Sequence, residues 1–157
     1  MSVAFRRDID EEHLEPKFEI PIPPGPNLVT PRGLALIRAK VAELEALVPA
    51  LAEEKALADA KRQLRYWRTR QATARPAPAP DGRTVEIGCT VRLLHLGKER
   101  RIAIVGDDEA DPASGLLAFS APLARAIMGA EVGEVLPFGG KDQAIEISEI
   151  NRTEDDW

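Results

Sequence analysis

Prolines constrain this chain more than any other feature. Five of its 13 prolines fall between Pro16 and Pro26, and no helix runs through such a stretch. A second cluster, ARPAPAPDG at residues 74–82, reads as a semi-rigid spacer and a domain boundary. Apolar residues before the second cluster recur with a helical period, and after it they recur with a period of two. The chain therefore divides into a proline-rich arm (1–29), a helical segment (30–73), a proline linker (74–82), a sheet domain (83–151) and an acidic tail (152–157).

Two readings of the arm stay open. Phe18, Ile20 and Ile22 alternate as an edge strand would, whereas the proline content equally suits a disordered tail. The helical segment has a clear start, because Thr30 is a good N-cap and Pro31 suits the first helical position. Leu34, Ile37, Val41, Leu44, Val48 and Leu51 then follow the 3-4 spacing of a coiled-coil seam. Pro49 should end or kink that helix. A second helix is predicted from about Ala50 to Arg70, with Leu57, Ala60, Leu64 and Trp67 as its apolar stripe. The two helices would bury each other as a short antiparallel hairpin.

Beyond the linker, Val85, Ile87, Cys89, Val91 and Leu93 alternate with polar residues as in a half-buried strand. Gly97 and Lys98 read as a hairpin turn into a strand containing Ile102 and Ile104. Leu116–Phe119, Val132–Leu136 and Ala144–Ile150 supply further strands. Pro122 to Met128 is a short helix stopped by Gly129. The expected fold class is α+β: a helical hairpin followed by an antiparallel sheet with one helix on a face.

Charge is distributed unevenly. Residues 1–29 carry 3 positive and 6 negative side chains, residues 30–76 carry 10 and 5, and residues 77–157 carry 8 and 15. A basic middle between acidic flanks argues against nucleic-acid binding by the whole chain. No apolar run is long enough to span a bilayer, and MSVAFRRDIDEEHLE does not read as a secretory signal. The single cysteine, Cys89, suits a reducing cytoplasm. It falls on the inward side of its strand, and with His95 isolated as well, neither completes a metal site.

IVGDDEADP (104–112), SAPLARAIMG (120–129) and VGE (132–134) resemble the C-terminal domain of the GreA/GreB transcript-cleavage factors, in the same order and spacing. The resemblance runs from Gly82 to Ile150, about half the chain. TPRGLALI resembles the family's opening of its first helix, and KRQLRYW (61–67) resembles the end of the second helix in GreB. The resemblance implies an FKBP-like C-terminal domain that sits at the rim of the RNA polymerase secondary channel. The implied polymerase-binding residues are Asp107, Asp108, Glu109, Asp111, Ser120, Ala121, Pro122 and Arg125. Ala121-Pro122 stands where the family has Ser-Pro.

The hairpin departs further from the family. Its tip lacks the acidic GD…EN motif that helps hold a second magnesium ion, and only Glu53, Glu54 and Asp59 are candidates there. Roughly twenty residues are missing, or about 15 Å of reach once shared between two arms. In hairpin length the chain is similar to Rnk, a short-hairpin relative. Lys61, Arg65 and Arg68 share one helical face and are a candidate contact for polymerase or RNA.

The expectation is therefore a cytoplasmic, monomeric elongation regulator that binds bacterial RNA polymerase at the secondary channel. It would touch nucleic acid at most indirectly, and it would not be an enzyme. No catalytic residues, metal or cofactor are expected, because the acidic run matches no calcium loop. The alternatives are an active transcript-cleavage stimulator, in which Glu53, Glu54 or Asp59 reaches the catalytic magnesium, and an adaptor dimerising through its coiled coil. A prolyl isomerase is a further alternative, but Phe119 and Phe138 are few aromatics for such a pocket.

Overall fold

A computed structural model describes residues 19–153. They divide into two compact units, one of residues 19–25 and 37–73, the other of residues 26–36 and 74–153. Phe18 and the acidic tail beyond Thr153 lie outside the described residues.

The first unit is the hairpin. Helix α1 spans Pro31–Leu47, ends before Pro49, and passes into a 3-10 turn at Val48–Ala50. Helix α2 spans Glu54–Thr73. Val41 and Leu44 of α1 bury against Ala60 and Leu64 of α2, and Val48, Leu51 and Trp67 pack around them. The 3-4 spacing is thus realised as a seam. Its small core is worth about 1.5–3 kcal/mol per buried large aliphatic side chain. Arg68 of α2 bonds Glu45 of α1 at 2.9 Å, an exposed pair that adds at most about 1 kcal/mol.

The second unit begins with β1 (Leu28–Val29), which pairs in parallel with β2 (Arg75–Pro76). The first turn of α1 also belongs to this unit. Gly33 donates its backbone N–H to Thr30 Oγ1 at 3.0 Å, which makes Thr30 the N-cap that its sequence position predicts.

The proline linker is corrected by these contacts. Arg75 donates its N–H to Asn27 O at 2.8 Å and Ala77 donates to Val29 O at 2.9 Å. Residues 76 and 78, whose N–H groups would face the other side of the strand, are both proline. The segment therefore pairs on one side and presents no donor on the other, which suits an edge strand. Ala77 and Pro80 are buried. The alternation expected at Ile20 and Ile22 is likewise not where the arm pairs; the strand lies at Leu28–Val29.

The main sheet has five strands: β3 (Cys89–His95), β4 (Lys98–Val105), β5 (Leu116–Ala118), β6 (Val135–Phe138) and β7 (Lys141–Arg152), in the order β5-β4-β3-β7-β6. Helix α3 spans Pro122–Ile127. The core is formed by alternate strand residues, among them Val91, Leu93, Ile102, Ile104, Ile145 and Ile147, packed with Leu123, Ala124 and Ile127 of α3. The fold is α+β, with a sheet that is mostly antiparallel.

Three details depart from expectation. The sheet is not wholly antiparallel, because β5 pairs in parallel with β4. A parallel neighbour needs a crossover, here residues 106–115 with two 3-10 turns at Asp107–Glu109 and Pro112–Ser114. Strand β3 starts at Cys89 rather than near Val85, since a turn at Ile87–Gly88 precedes it. The β3–β4 turn is Leu96-Gly97, with φ of 53° and 83°, one residue earlier than read.

Two sequence segments far apart meet in the second unit. Thr30 Oγ1 donates to Glu109 Oε2 at 2.6 Å, and both residues are buried. Gly33 lies against the same carboxylate: a Cβ there would stand 2.5 Å from Oε2 and 2.9 Å from Cδ. Gly106 lies against β1, where a Cβ would stand 2.6 Å from the Leu28 carbonyl oxygen. Among the described residues Glu109 Oε1 accepts no hydrogen bond; Arg32 Nε approaches it at 3.6 Å, an ion-pair distance.

Helix propensity alone predicts that Gly33→Ala stabilises the chain by about 1 kcal/mol. The contact with Glu109 predicts the reverse, a loss of about 1–2 kcal/mol, because the carboxylate must leave Thr30 to make room. In the Glu109→Ala background the penalty should vanish. Denaturant unfolding of the four proteins of this cycle measures the coupling directly.

Candidate functional site

The residues implied as polymerase contacts occupy the crossover and the start of α3. Ser120 Oγ donates to Asp107 Oδ1 at 2.5 Å, which ties the loop before α3 to the acidic 3-10 turn. Pro122 opens the helix, and the preceding Ala121 is extended (φ −68°, ψ 150°), as a residue before proline must be. Arg125 and Pro122 are exposed, while Asp107, Asp108 and Ala121 are half-buried. Asp111 accepts from Ser114 Oγ at 2.8 Å and exchanges backbone bonds with Leu116, so it shapes the turn into β5. Most of these residues are at least partly exposed.

Glu109 is the exception. Expected beside Asp108 as a surface contact, it is turned inward to Thr30 and only 7% exposed. Its carboxylate is not available at a surface. The four acids of the run thus have different surroundings and do not converge on one point. Among the described residues, no group of three His, Cys, Asp or Glu side chains is placed to hold a metal ion.

At the hairpin tip, Glu53 caps α2. Its carboxylate accepts from the backbone N–H of Lys55 at 3.1 Å and of Ala56 at 2.8 Å, which satisfies two of the free donors at a helix start. These bonds hold the Glu53 carboxyl below the usual range. Asp59 accepts from Arg62 at 3.1 Å and from Gln63 at 2.9 Å. Glu54, in the first turn of α2, is exposed. The three tip carboxylates are brought near one helix start, but two are engaged by their own helix.

The basic face of α2 is partly neutralised. Arg65 makes a two-pronged bond to Glu19, with Nε at 2.8 Å and Nη2 at 2.9 Å, and Arg68 pairs with Glu45. Lys61 is exposed beside them. Lys61, Arg65 and Arg68 line an open groove of about 510 Å³ with Glu45, Val48, Pro49 and Leu64. Glu19 was missed as a partner, since a carboxylate in a proline-rich arm gives no spacing signal toward a helix 46 residues away. Cys89 is fully buried, and burial pushes its thiol up.

The Glu53 cap makes a pH prediction. A carboxyl held low in the folded state stabilises at pH above the ordinary glutamate range, and that contribution disappears as pH falls through the lowered value. Glu53→Ala should therefore reduce helix stability at neutral pH and approach wild type in acid. Thermal melts followed by circular dichroism across pH 2–7 measure the difference.

Residues 79–152 match the model of the transcription elongation factor GreA/GreB C-terminal domain. GreA of Caulobacter vibrioides strain NA1000 is 42% identical over 73 residues, covering 44% of this chain and 46% of that protein. GreA of Thioalkalivibrio sulfidiphilus is 44% identical over 70 residues, covering 41% and 44%. The alignments thus span about half the length of these relatives. Among solved structures, the GreA factor homolog Gfh1 of Thermus thermophilus aligns over 76% of this chain and 90% of its own, at 16% identity and a TM-score of 0.39.

One expectation is overturned by the relatives. The chain was expected not to be an enzyme, yet they are named GreA elongation factors, of a family that stimulates RNA cleavage by polymerase. A short hairpin does not by itself set the chain apart from that chemistry. Order, spacing and identity all converge on the second half of the chain, where residues 79–152 match the GreA/GreB C-terminal domain model and are similar to GreA.

Proposed function

We propose that this chain is a cytoplasmic, monomeric elongation regulator that docks on bacterial RNA polymerase at the secondary channel. The C-terminal unit, read as FKBP-like, supplies the docking surface through Asp107, Asp108, Asp111, Ser120, Ala121, Pro122 and Arg125. The observation that carries this reading is the bond from Ser120 to Asp107. It joins two family-like motifs into one ridge, inside a domain 42% identical to GreA. Glu109 supports the ridge from behind through Thr30.

The hairpin enters the channel mouth and acts there chiefly by occupying space. Transcript cleavage through its tip is weak compared with a long-hairpin GreA. Glu53 and Asp59 are held by their own helix, and a hairpin shorter by roughly twenty residues than the family's loses about 15 Å of reach. Contact with nucleic acid is indirect, through the transcription complex.

Binding to purified core RNA polymerase tests the reading, alongside cleavage in backtracked complexes. Wild type should bind, and Asp108→Arg should weaken binding about tenfold, as loss of an interface anchor of about 1.4 kcal/mol would. Cleavage should fall well below that of GreA. Cleavage equal to GreA would refute the length argument and direct mutation to Glu53, Glu54 and Asp59. Absence of binding, with dimers in sedimentation, would favour the adaptor instead.

A further inference from the structure

The β3–β4 turn carries an expense that the fold does not need. In a two-residue turn with φ positive at both positions, asparagine or aspartate followed by glycine is favoured. Leu96 occupies the first position at φ 53°, where a branched side chain is strained. Burial does not compensate, since Leu96 is 59% exposed and the neighbouring Leu94 is 36% exposed. Strain held at an exposed apolar residue points to a contact made outside the chain.

Charge gathers at the same end of the sheet. The register sets Lys98 opposite His95, Arg100 opposite Leu93 and Lys141 opposite Phe138. The His95 and Phe138 rings meet edge to face at 5.5 Å, and Leu96 donates its N–H to Ala144 O at 2.9 Å, which brings the two hairpin ends together. Lys98, Arg100, Arg101 and Lys141 are exposed and form no ion pair among the described residues. Arg92, by contrast, is held by Glu99 at 3.4 Å and Glu149 at 3.6 Å. Lys98, Arg100 and Lys141 thus stand near the turn, with the exposed Glu99 and Asp142 adjoining them in sequence.

We propose that the Leu96 turn is a second contact with the polymerase, taking an acidic protein segment that offers an apolar notch for Leu96 and carboxylates for Lys98, Arg100 and Lys141. The inference rests on the polymerase-binding reading and extends it to a surface separate from the Ser120–Asp107 ridge. A protein partner is favoured over a nucleic-acid strand because the protruding group is aliphatic. Single strands are held by exposed aromatic faces, and here the aromatic rings are half-buried against each other.

The full chain is compared with Leu96→Asn and with the double substitution Arg100→Gln, Lys141→Gln. Affinity for purified core polymerase is measured over a salt series, with a thermal melt of each protein. Leu96→Asn should melt higher than wild type and yet bind polymerase about fivefold or more weakly. That combination excludes misfolding as the cause. The double substitution should weaken binding and flatten its salt dependence. Unchanged polymerase affinity in both variants overturns this proposal alone. Failure of wild type to bind polymerase overturns both this proposal and the reading it rests on. Loss of affinity for a dT20 oligonucleotide with polymerase binding intact assigns the turn to nucleic acid, and also overturns it.

Discussion

The hydrogen bond from Thr30 to the buried Glu109 carboxylate organises this molecule. A buried carboxylate is costly unless it is held by donors or by opposite charge. Among the described residues Glu109 has one short bond, one cation at 3.6 Å and one oxygen without a hydrogen bond. The same Thr30 oxygen caps α1 through Gly33. One hydroxyl therefore both starts a helix and satisfies a buried charge, and neither role leaves room for a larger residue at position 33. Gly106 is small for the same reason, where the acidic loop crosses β1. The first turn of the hairpin helix becomes part of the sheet unit, so the division of the chain falls after Leu36 and not before Thr30.

Much of this was legible in the sequence because the signals are local. Thr30-Pro31 announces a helix start, Pro49 announces its end, and the 3-4 spacing from Val41 to Leu44 marks the seam. Pro122 opens α3 as read, and the alternation of Cys89, Val91 and Leu93 marks a strand. What the sequence concealed depends on partners distant along the chain. Alternating prolines look like a spacer until β1 supplies acceptors for Arg75 and Ala77. Glu109 looks like one of four solvated acids until Thr30, 79 residues away, takes it inside. Glu53 looks like a free tip carboxylate, although its position just before α2 makes it a cap. A closer reading of that position would have found the cap; no local pattern would have found the Glu109 contact.

The same distinction shapes the functional account. Charged residues that looked equivalent by composition have separate duties. Glu53 and Asp59 are tied to α2, Arg65 and Arg68 are matched by Glu19 and Glu45, and Glu109 is inside. Exposed charges of the sheet unit include Asp111 and Arg125 near Ser120, and Lys98, Arg100 and Lys141 near the Leu96 turn. The sheet unit, similar to the GreA/GreB C-terminal domain, thus has the Ser120–Asp107 contact beyond one end of β4 and the Leu96 turn at the other. On the proposed reading the hairpin acts by occupying space more than by carrying carboxylates, since Glu53 and Asp59 are tied to α2.

The most direct test of the docking claim is site-specific photo-crosslinking from the ridge itself. A photoreactive side chain placed at Arg125, exposed on α3, is irradiated in the presence of core RNA polymerase. The account predicts a crosslink to the polymerase that is competed away by unlabelled wild-type chain and by GreA, to which residues 79–152 are similar. Polymerase that binds the chain but crosslinks only from positions on the opposite surface of the sheet unit would contradict it.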